Sequence, residues 1–221
     1  MLPALQPGIT MTKKTTFDEH ANDYDAWFEK HYDLYLAELE AVRNFIPANG
    51  RGMEIGVGTG RFAAPLGIPI GLEPSPGMAE LARQRGVEVV EGLAENLPFA
   101  DVSFDFVLMV TVVCFLKDIP LALREAYRIL KPHGTLVIGF IDRESDLGRR
   151  YSRKKDRSRF YRDATFYSVS ELEALLTEAG FSCFAYRQTL MPGETTDLTV
   201  REGHGSGGFV AIQAHKAEVT P

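Results

Sequence analysis

The sequence predicts an α/β fold: a doubly wound sheet of seven strands, mostly parallel with an antiparallel strand at one end, preceded by an N-terminal helical cap. Three observations predict it. From residue 51 onward, short apolar runs alternate with helical segments, the pattern of a parallel sheet covered on both faces. A glycine-rich segment, Gly56-Val57-Gly58-Thr59-Gly60, falls where the first of these runs ends. The last two runs, Phe181–Leu190 and Gly208–Ala214, have no helical segment between them and so should pair antiparallel at the sheet's end.

The elements follow in order. Residues 15–46 carry Tyr24, Trp27, Phe28, Leu34, Tyr35, Leu39, Val42 and Phe45 at helical spacing, and Pro47 with Asn49-Gly50 ends this cap. Met53–Val57 is the first strand, and the glycines after it lead into a short helix that Pro65 and Gly67 must end. Ile68–Leu72 is the second strand. Pro76–Arg85 opens as a helix, with Ser75 as N-cap and Pro76 in the first position, and Gly86 stops it before a third strand, Val87–Val90. Phe104–Val113 is the most apolar strand and belongs near the sheet centre. Asp118 caps the next helix, Lys131-Pro-His-Gly134 turns the chain into a fifth strand, Thr135–Ile141, and Ser170–Ala179 is a helix stopped by Gly180. One domain is expected over 1–221, with the cap at 15–46, a core at 51–141, a basic segment at 143–166 and the C-terminal helix and strands at 167–216.

Composition narrows the function classes. With 221 residues, 45% of them hydrophobic, the chain can bury one sizeable core. Its net charge of -6 argues against a general affinity for nucleic acid or anionic membrane, which is built from excess Lys and Arg. No apolar stretch resembles a signal peptide over Met1–Thr16, and the longest apolar run, Phe104–Leu116, is too short to span a bilayer. Cys114 and Cys183 lie in strand-like runs, the context of reduced, buried thiols, so a reducing cytoplasm fits. No cluster of His, Cys or Asp has metal-ligand spacing, and no metal is expected.

The glycines carry the chemistry. After a strand they let the backbone turn sharply and approach a ligand that a Cβ would push away. Glu73, at the end of the second strand, is placed to accept hydrogen bonds from the hydroxyls of a ribose, so Gly56, Gly58 and Glu73 describe a nucleoside pocket at the sheet's switch point. A tight turn beside a solvent-facing Glu is the plainer alternative. The spacing here is G-x-G-x-G, whereas a dinucleotide fingerprint is G-x-G-x-x-G. Glu54, just ahead, would oppose a pyrophosphate but suits a ligand bearing a sulfonium and an ammonium. S-adenosylmethionine is therefore favoured over a nicotinamide cofactor, which stays open as an alternative.

Across Arg51–Ile141 the chain resembles the class I S-adenosylmethionine-dependent methyltransferases, in the branch called methyltransferase type 11. The likeness rests on Glu54-Ile-Gly-Val-Gly-Thr-Gly60, Gly71-Leu-Glu-Pro-Ser75, Ala94-Glu-Asn-Leu-Pro-Phe99, Ser103-Phe-Asp105 and Arg128-Ile-Leu-Lys-Pro-His-Gly134. The resemblance implies a Rossmann-like fold and S-adenosylmethionine as cofactor. It implies that Glu54, Gly56 and Gly58 line the methionine end, that Glu73 holds the ribose, that Pro74 and Met78 border the adenine, and that Ala94 and Glu95 contact its ring. Thr111 would lie beneath the sulfonium and Tyr24 would close over the methionine. Many relatives have an Asp just before the Ala-Glu pair; here Leu93 stands there, so backbone groups or Glu95 would read the adenine.

Methyl transfer from this cofactor needs chiefly alignment of an acceptor lone pair with the methyl carbon, so no obligatory catalytic residue follows from the reaction type. Candidates for the acceptor site are Trp27, Phe28 and His31 in the cap, Cys114 and Phe115 after the fourth strand, Arg143 after the fifth, and His204 in the glycine-rich turn before the last strand. Each has a plainer role: the aromatics as packing, His31 as a surface residue, Cys114 as a small buried hydrophobe, the turn as a hairpin linker. Residues 149–162, rich in Arg and Lys with Tyr151, Phe160 and Tyr161 interspersed, read as a lid that attracts an anionic acceptor, as a solvated helix face, or as a nucleic-acid contact, which the acidic remainder of the chain disfavours. A small-molecule acceptor is expected, since no partner-binding domain is attached. A cofactor-binding subunit without turnover is the second alternative. The acceptor, its atom type and the oligomeric state stay open.

Overall fold

The computed structural model describes residues 15–193 and 196–217. The segment Met1–Thr16, expected to carry no secretion signal, lies outside them except for its last two residues.

Three helices form the cap: α1 (Thr16–Glu19), α2 (Ala21–Lys30) and α3 (Tyr32–Arg43). A capping box closes α1, Thr15 accepting from the Asp18 amide while Asp18 reaches back to the Thr15 amide at 2.7 Å. The sheet strands are β1 (Gly52–Ile55), β2 (Ile70–Leu72), β3 (Glu88–Val90), β4 (Phe104–Val110), β5 (Leu130–Ile141), β6 (Phe181–Thr189), β7 (Arg201–Glu202) and β8 (Phe209–Lys216). They join in the order β3-β2-β1-β4-β5-β8-β6-β7, eight strands where seven were expected, because two residues of the loop after β6 fold back to pair with Arg187 and Gln188. Pairing is parallel from β3 to β5; β8 runs antiparallel between β5 and β6.

Helices α4 (Pro76–Gln84), α5 (Ile119–Ile129), α6 (Asp146–Lys154) and α7 (Val169–Glu178) complete the fold. Their N-caps follow from the sequence: the side chains of Ser75, Asp118, Ser145 and Ser168 each accept a backbone N–H of the first turn. Alternation along β4 explains its unbroken apolar run. Val107 and Met109 face a core completed by Leu123 of α5 and Leu172 of α7, while Phe106, Leu108 and Val110 face one completed by Leu39 and Val42 of α3.

Four local expectations are corrected. Residues 56–67 form consecutive turns rather than a helix, since Pro65 and Gly67 leave too few residues to propagate one. The fourth strand ends at Val110, not Val113, because Thr111 turns to a positive φ of 50° and residues 113–115 coil as a 3-10 turn. Lys131–Gly134 is no separate turn: it stays within β5 as an irregularity where the register against β4 shifts between Phe104 and Phe106. Cys183 is exposed rather than buried, because a register shift between Ser182 and Ala185 rotates it out of the core.

Candidate functional site

From β1 the chain goes to β2 on one side, and from β3 it crosses back to β4 on the other. The sheet order therefore reverses at β1 and β4, and a crevice opens at their carboxyl ends. Gly56 turns the chain there with φ of 69°, and an added Cβ would lie 2.3 Å from Val112 Cγ2, so no larger residue fits. The amides of Gly56 and Val57 both donate to Leu72 O, at 2.8 and 3.0 Å, tying the turn to β2. Gly58, at φ of 56°, differs in meeting only the end of Met78 at 3.5 Å and another backbone oxygen at 4.0 Å. Thr111, a β-branched residue held at positive φ by its amide's 2.8 Å bond to Gly139 O, lies across the crevice.

Two carboxylates sit at this switch point. Glu73 follows β2 and is 7% exposed; its Oε2 accepts from the Gly58 amide at 2.9 Å and its Oε1 from the Ser75 amide at 3.0 Å. Burial pushes its carboxyl up to about 7, against the lowering effect of those two bonds. Glu54, inside β1, is 1% exposed, and among the described residues its Oε2 has no hydrogen-bond partner. Burial raises it well above the carboxylate range, opposed by a bond from the Ala63 amide. An orphaned buried oxygen of this kind calls for a donor or cation supplied from outside the chain.

Tyr24 of α2 brings its phenol to Thr111 at the end of β4. Burial raises its phenol, a hydrogen bond with Thr111 opposes that, and both Glu38 and Glu73 press it further upward. A cavity of about 320 Å³ extends from Gly56 along Pro74, Leu93, Ala94, Glu95 and Phe115. Its walls are chiefly apolar side chains, as a flat heterocycle requires. Glu95 is anchored at its edge, one oxygen accepting from the Lys117 amide at 2.9 Å and the Asp118 amide at 3.3 Å. Met78 is buried beneath Gly58.

An apolar slot beside the buried Glu73 carboxyl, with one oxygen of Glu54 left unanswered in the neighbouring strand, fits an adenosine carrying a cationic tail. The profile of the methyltransferase domain family matches residues 53–138. A Thermotoga maritima crystal structure, described as an S-adenosylmethionine-dependent methyltransferase and possible histamine N-methyltransferase, is 53% identical, covers 91% of this chain and 98% of its own, and superposes with a TM-score of 0.88. The chain belongs to the class I S-adenosylmethionine-dependent methyltransferases. Its cofactor is S-adenosylmethionine, and the nicotinamide alternative falls away. An uncharacterized Methanocaldococcus jannaschii protein is 46% identical over 90% of this chain and 98% of its own, and one from Mycobacterium tuberculosis H37Rv is 37% identical over 96% and 77%.

In this methyltransferase a second, larger cavity of about 550 Å³ lies under α6, bounded by Trp27, Leu34, Glu38, Arg150, Tyr151 and Met191 among others. Of the acceptor candidates only Trp27 lines it. Phe28 is buried among Tyr24, Trp27, Tyr35 and Phe62. His31 packs its ring 4.8 Å from Trp27. Phe115 lines the adenosine-side cavity and stacks on Tyr161. Cys114, whose thiol burial pushes up to about 12, donates to Thr111 O at 3.4 Å and faces only a water-sized void of about 10 Å³. Arg143 is drawn away by a 2.7 Å ion pair with Glu171. His204 is exposed beside Tyr186, although Ser206 and Gly208 of the same loop reach the large cavity.

The basic segment is docked rather than free. Phe160 packs on Phe17 and Tyr24 of the cap, and Arg159 pairs with Asp23 at 2.7 Å. Sequence reasoning missed Glu38, whose place among apolar helix residues was its only signal. It also missed Asp25, which binds Thr59, Arg61 and Arg85. No helix of the described residues is long and apolar enough to cross a membrane, and none of their acidic, His and Cys side chains group to hold a metal ion.

Proposed function

We propose that the protein catalyses transfer of the methyl group of S-adenosylmethionine to a small molecule held in the 550 Å³ cavity. One observation carries this reading: α2 bears both Tyr24, whose phenol approaches Thr111 at the end of β4, and, three residues on, Trp27, which lines the large cavity. Bound S-adenosylmethionine supplies an activated methyl on a sulfonium. The chain's part is to hold, orient and exclude water. Glu73 would accept from the ribose hydroxyls, and Pro74, Met78, Leu93, Ala94 and Glu95 would enclose the adenine. Glu54, Gly56 and Gly58 would meet the methionine end, with Thr111 beneath the sulfonium and Tyr24 over the methionine. The cap, clamped by Asp25, and the docked basic segment would shut out solvent.

The volume suits a metabolite-sized acceptor and is too small for a folded polymer. Because the Thermotoga relative is described as a possible histamine N-methyltransferase, histamine is among the first acceptors to try. Calorimetric titration with S-adenosylhomocysteine, followed by a labelled-methyl screen across amines, phenols, thiols and carboxylates, tests the proposal. Cofactor binding with transfer to any of these supports it. Binding without transfer to any of them would favour the non-catalytic subunit.

A further inference from the structure

Resting on that reading, the charges of the large cavity narrow the acceptor class. Glu38 lies on α3 with its side chain at the cavity wall, 5% exposed, and none of the described residues donates a hydrogen bond to it or pairs with it. A carboxyl group so placed inside an apolar helix face is costly unless a ligand answers it. Opposite stands α6, which turns Leu147, Arg150, Tyr151 and Arg153 to the cavity. Asp146 also lines it but is neutralised by Arg149 at 2.6 Å, whereas Arg150 and Arg153 form no ion pair among the described residues. The cavity thus holds a deep carboxyl group, two guanidinium groups nearer solvent with no ion pair among the described residues, and the aromatic rings of Trp27 and Tyr151. A cation seated among such rings gains further attraction.

We infer that the acceptor is a small amine that also bears an acidic group, as an amino acid does, with Glu38 receiving the ammonium and Arg150 and Arg153 the acid. Glu38, in its carboxylate form, takes one proton from the ammonium. The freed lone pair forms the new N–C bond as the C–S bond of the donor breaks, its electron pair staying on sulfur. The products are the methylated ammonium and neutral S-adenosylhomocysteine, and Glu38 returns its proton to solvent.

The test uses the full chain saturated with S-adenosylhomocysteine and matched trios of an amino acid, its decarboxylated amine and its deaminated acid, on imidazole, phenyl and aliphatic skeletons. Calorimetry reads binding, and labelled S-adenosylmethionine reads transfer. In at least one trio the amino acid should bind tenfold or more tighter than either truncated partner and be methylated on nitrogen. Glu38→Gln should abolish that transfer while S-adenosylhomocysteine binds as in the parent, and Glu38→Asp should restore part of it. Replacing both Arg150 and Arg153 by Met should erase the preference for the amino acid over its amine. Amines binding as well as their amino acids in every trio, methyl found only on oxygen or sulfur, or unaltered turnover in Glu38→Gln would overturn the inference while leaving methyl transfer itself intact. Failure of the parent to bind S-adenosylhomocysteine would instead strike the underlying function.

Discussion

Asp25 of the cap grips Arg61 of the glycine turn in a two-pronged pair, Oδ1 2.9 Å from Nε and Oδ2 2.7 Å from Nη2. Arg85 adds a third contact at 2.7 Å and Thr59 a fourth at 2.6 Å. Burial works to raise the Asp25 carboxyl, but these donors outweigh it and hold it at about 2. The pair is mostly shielded, at 13% and 16% side-chain exposure, so losing one partner strands charge in a poorly solvated place.

Asp25→Ala should therefore lower unfolding stability by about 3 kcal/mol, the range for a broken buried pair. It should also weaken S-adenosylhomocysteine binding by about tenfold, since the cap is no longer held on the glycine turn. Urea denaturation and calorimetry check the two effects separately.

Glu73 links cofactor affinity to pH. Ribose hydroxyls donate to the ionised form, so binding lowers a carboxyl that stands at about 7 in the free protein. Affinity should be flat above that pH and fall toward acid by up to about tenfold per unit, until the bound form's own lower value is reached. Glu73→Gln should flatten this slope. Calorimetry from pH 5 to pH 9 with S-adenosylhomocysteine measures it.

Stability of the free protein should move the opposite way. Glu38 stands at about 8, raised by burial alone from an ordinary 4.5. The folded state thus binds the proton more tightly than the unfolded chain. Its favourable contribution is fully present below the unfolded value and is lost as pH climbs through the folded one. Thermal unfolding should show Tm falling between pH 5 and pH 8, and Glu38→Gln should reduce that fall and raise Tm at pH 8.

Gly58 separates fold from function. Alanine there meets no atom closer than 3.5 Å, so the penalty is that of a left-handed backbone, about 1–2 kcal/mol. Its methyl would nevertheless stand against the cofactor's path, and binding should drop tenfold or more while the protein still folds. Gly56→Ala, with Val112 2.3 Å away, should compromise folding itself. Circular dichroism melts beside calorimetry distinguish the two outcomes.

The fold was legible because each signal was local. Ser75 with Pro76 and Asp118 before Ile119 announce helix starts through their own hydrogen bonds, and the alternation within β4 follows from packing on both faces. Glu73 was legible for the same reason, since a strand tip, a glycine turn and an acid occur in fixed order. Glu38 was not: its partnerless burial arises only when α6 and the residues around Met191 close over α3, contacts more than 100 positions distant. Nor was Asp25, whose partners Arg61 and Arg85 lie 36 and 60 residues away. Lys131–Gly134 misled because its residues favour a turn, while pairing with β4 keeps the segment in the strand.

The switch-point crevice should bind an adenosine bearing a transferable methyl. Isothermal titration of the full chain with S-adenosylhomocysteine at pH 8, beside Glu73→Ala, tests it most directly. One site per chain is expected, with micromolar affinity that falls at least a hundredfold in the variant. Heats of dilution alone for the parent protein at millimolar ligand, or equal affinity in the variant, would contradict it.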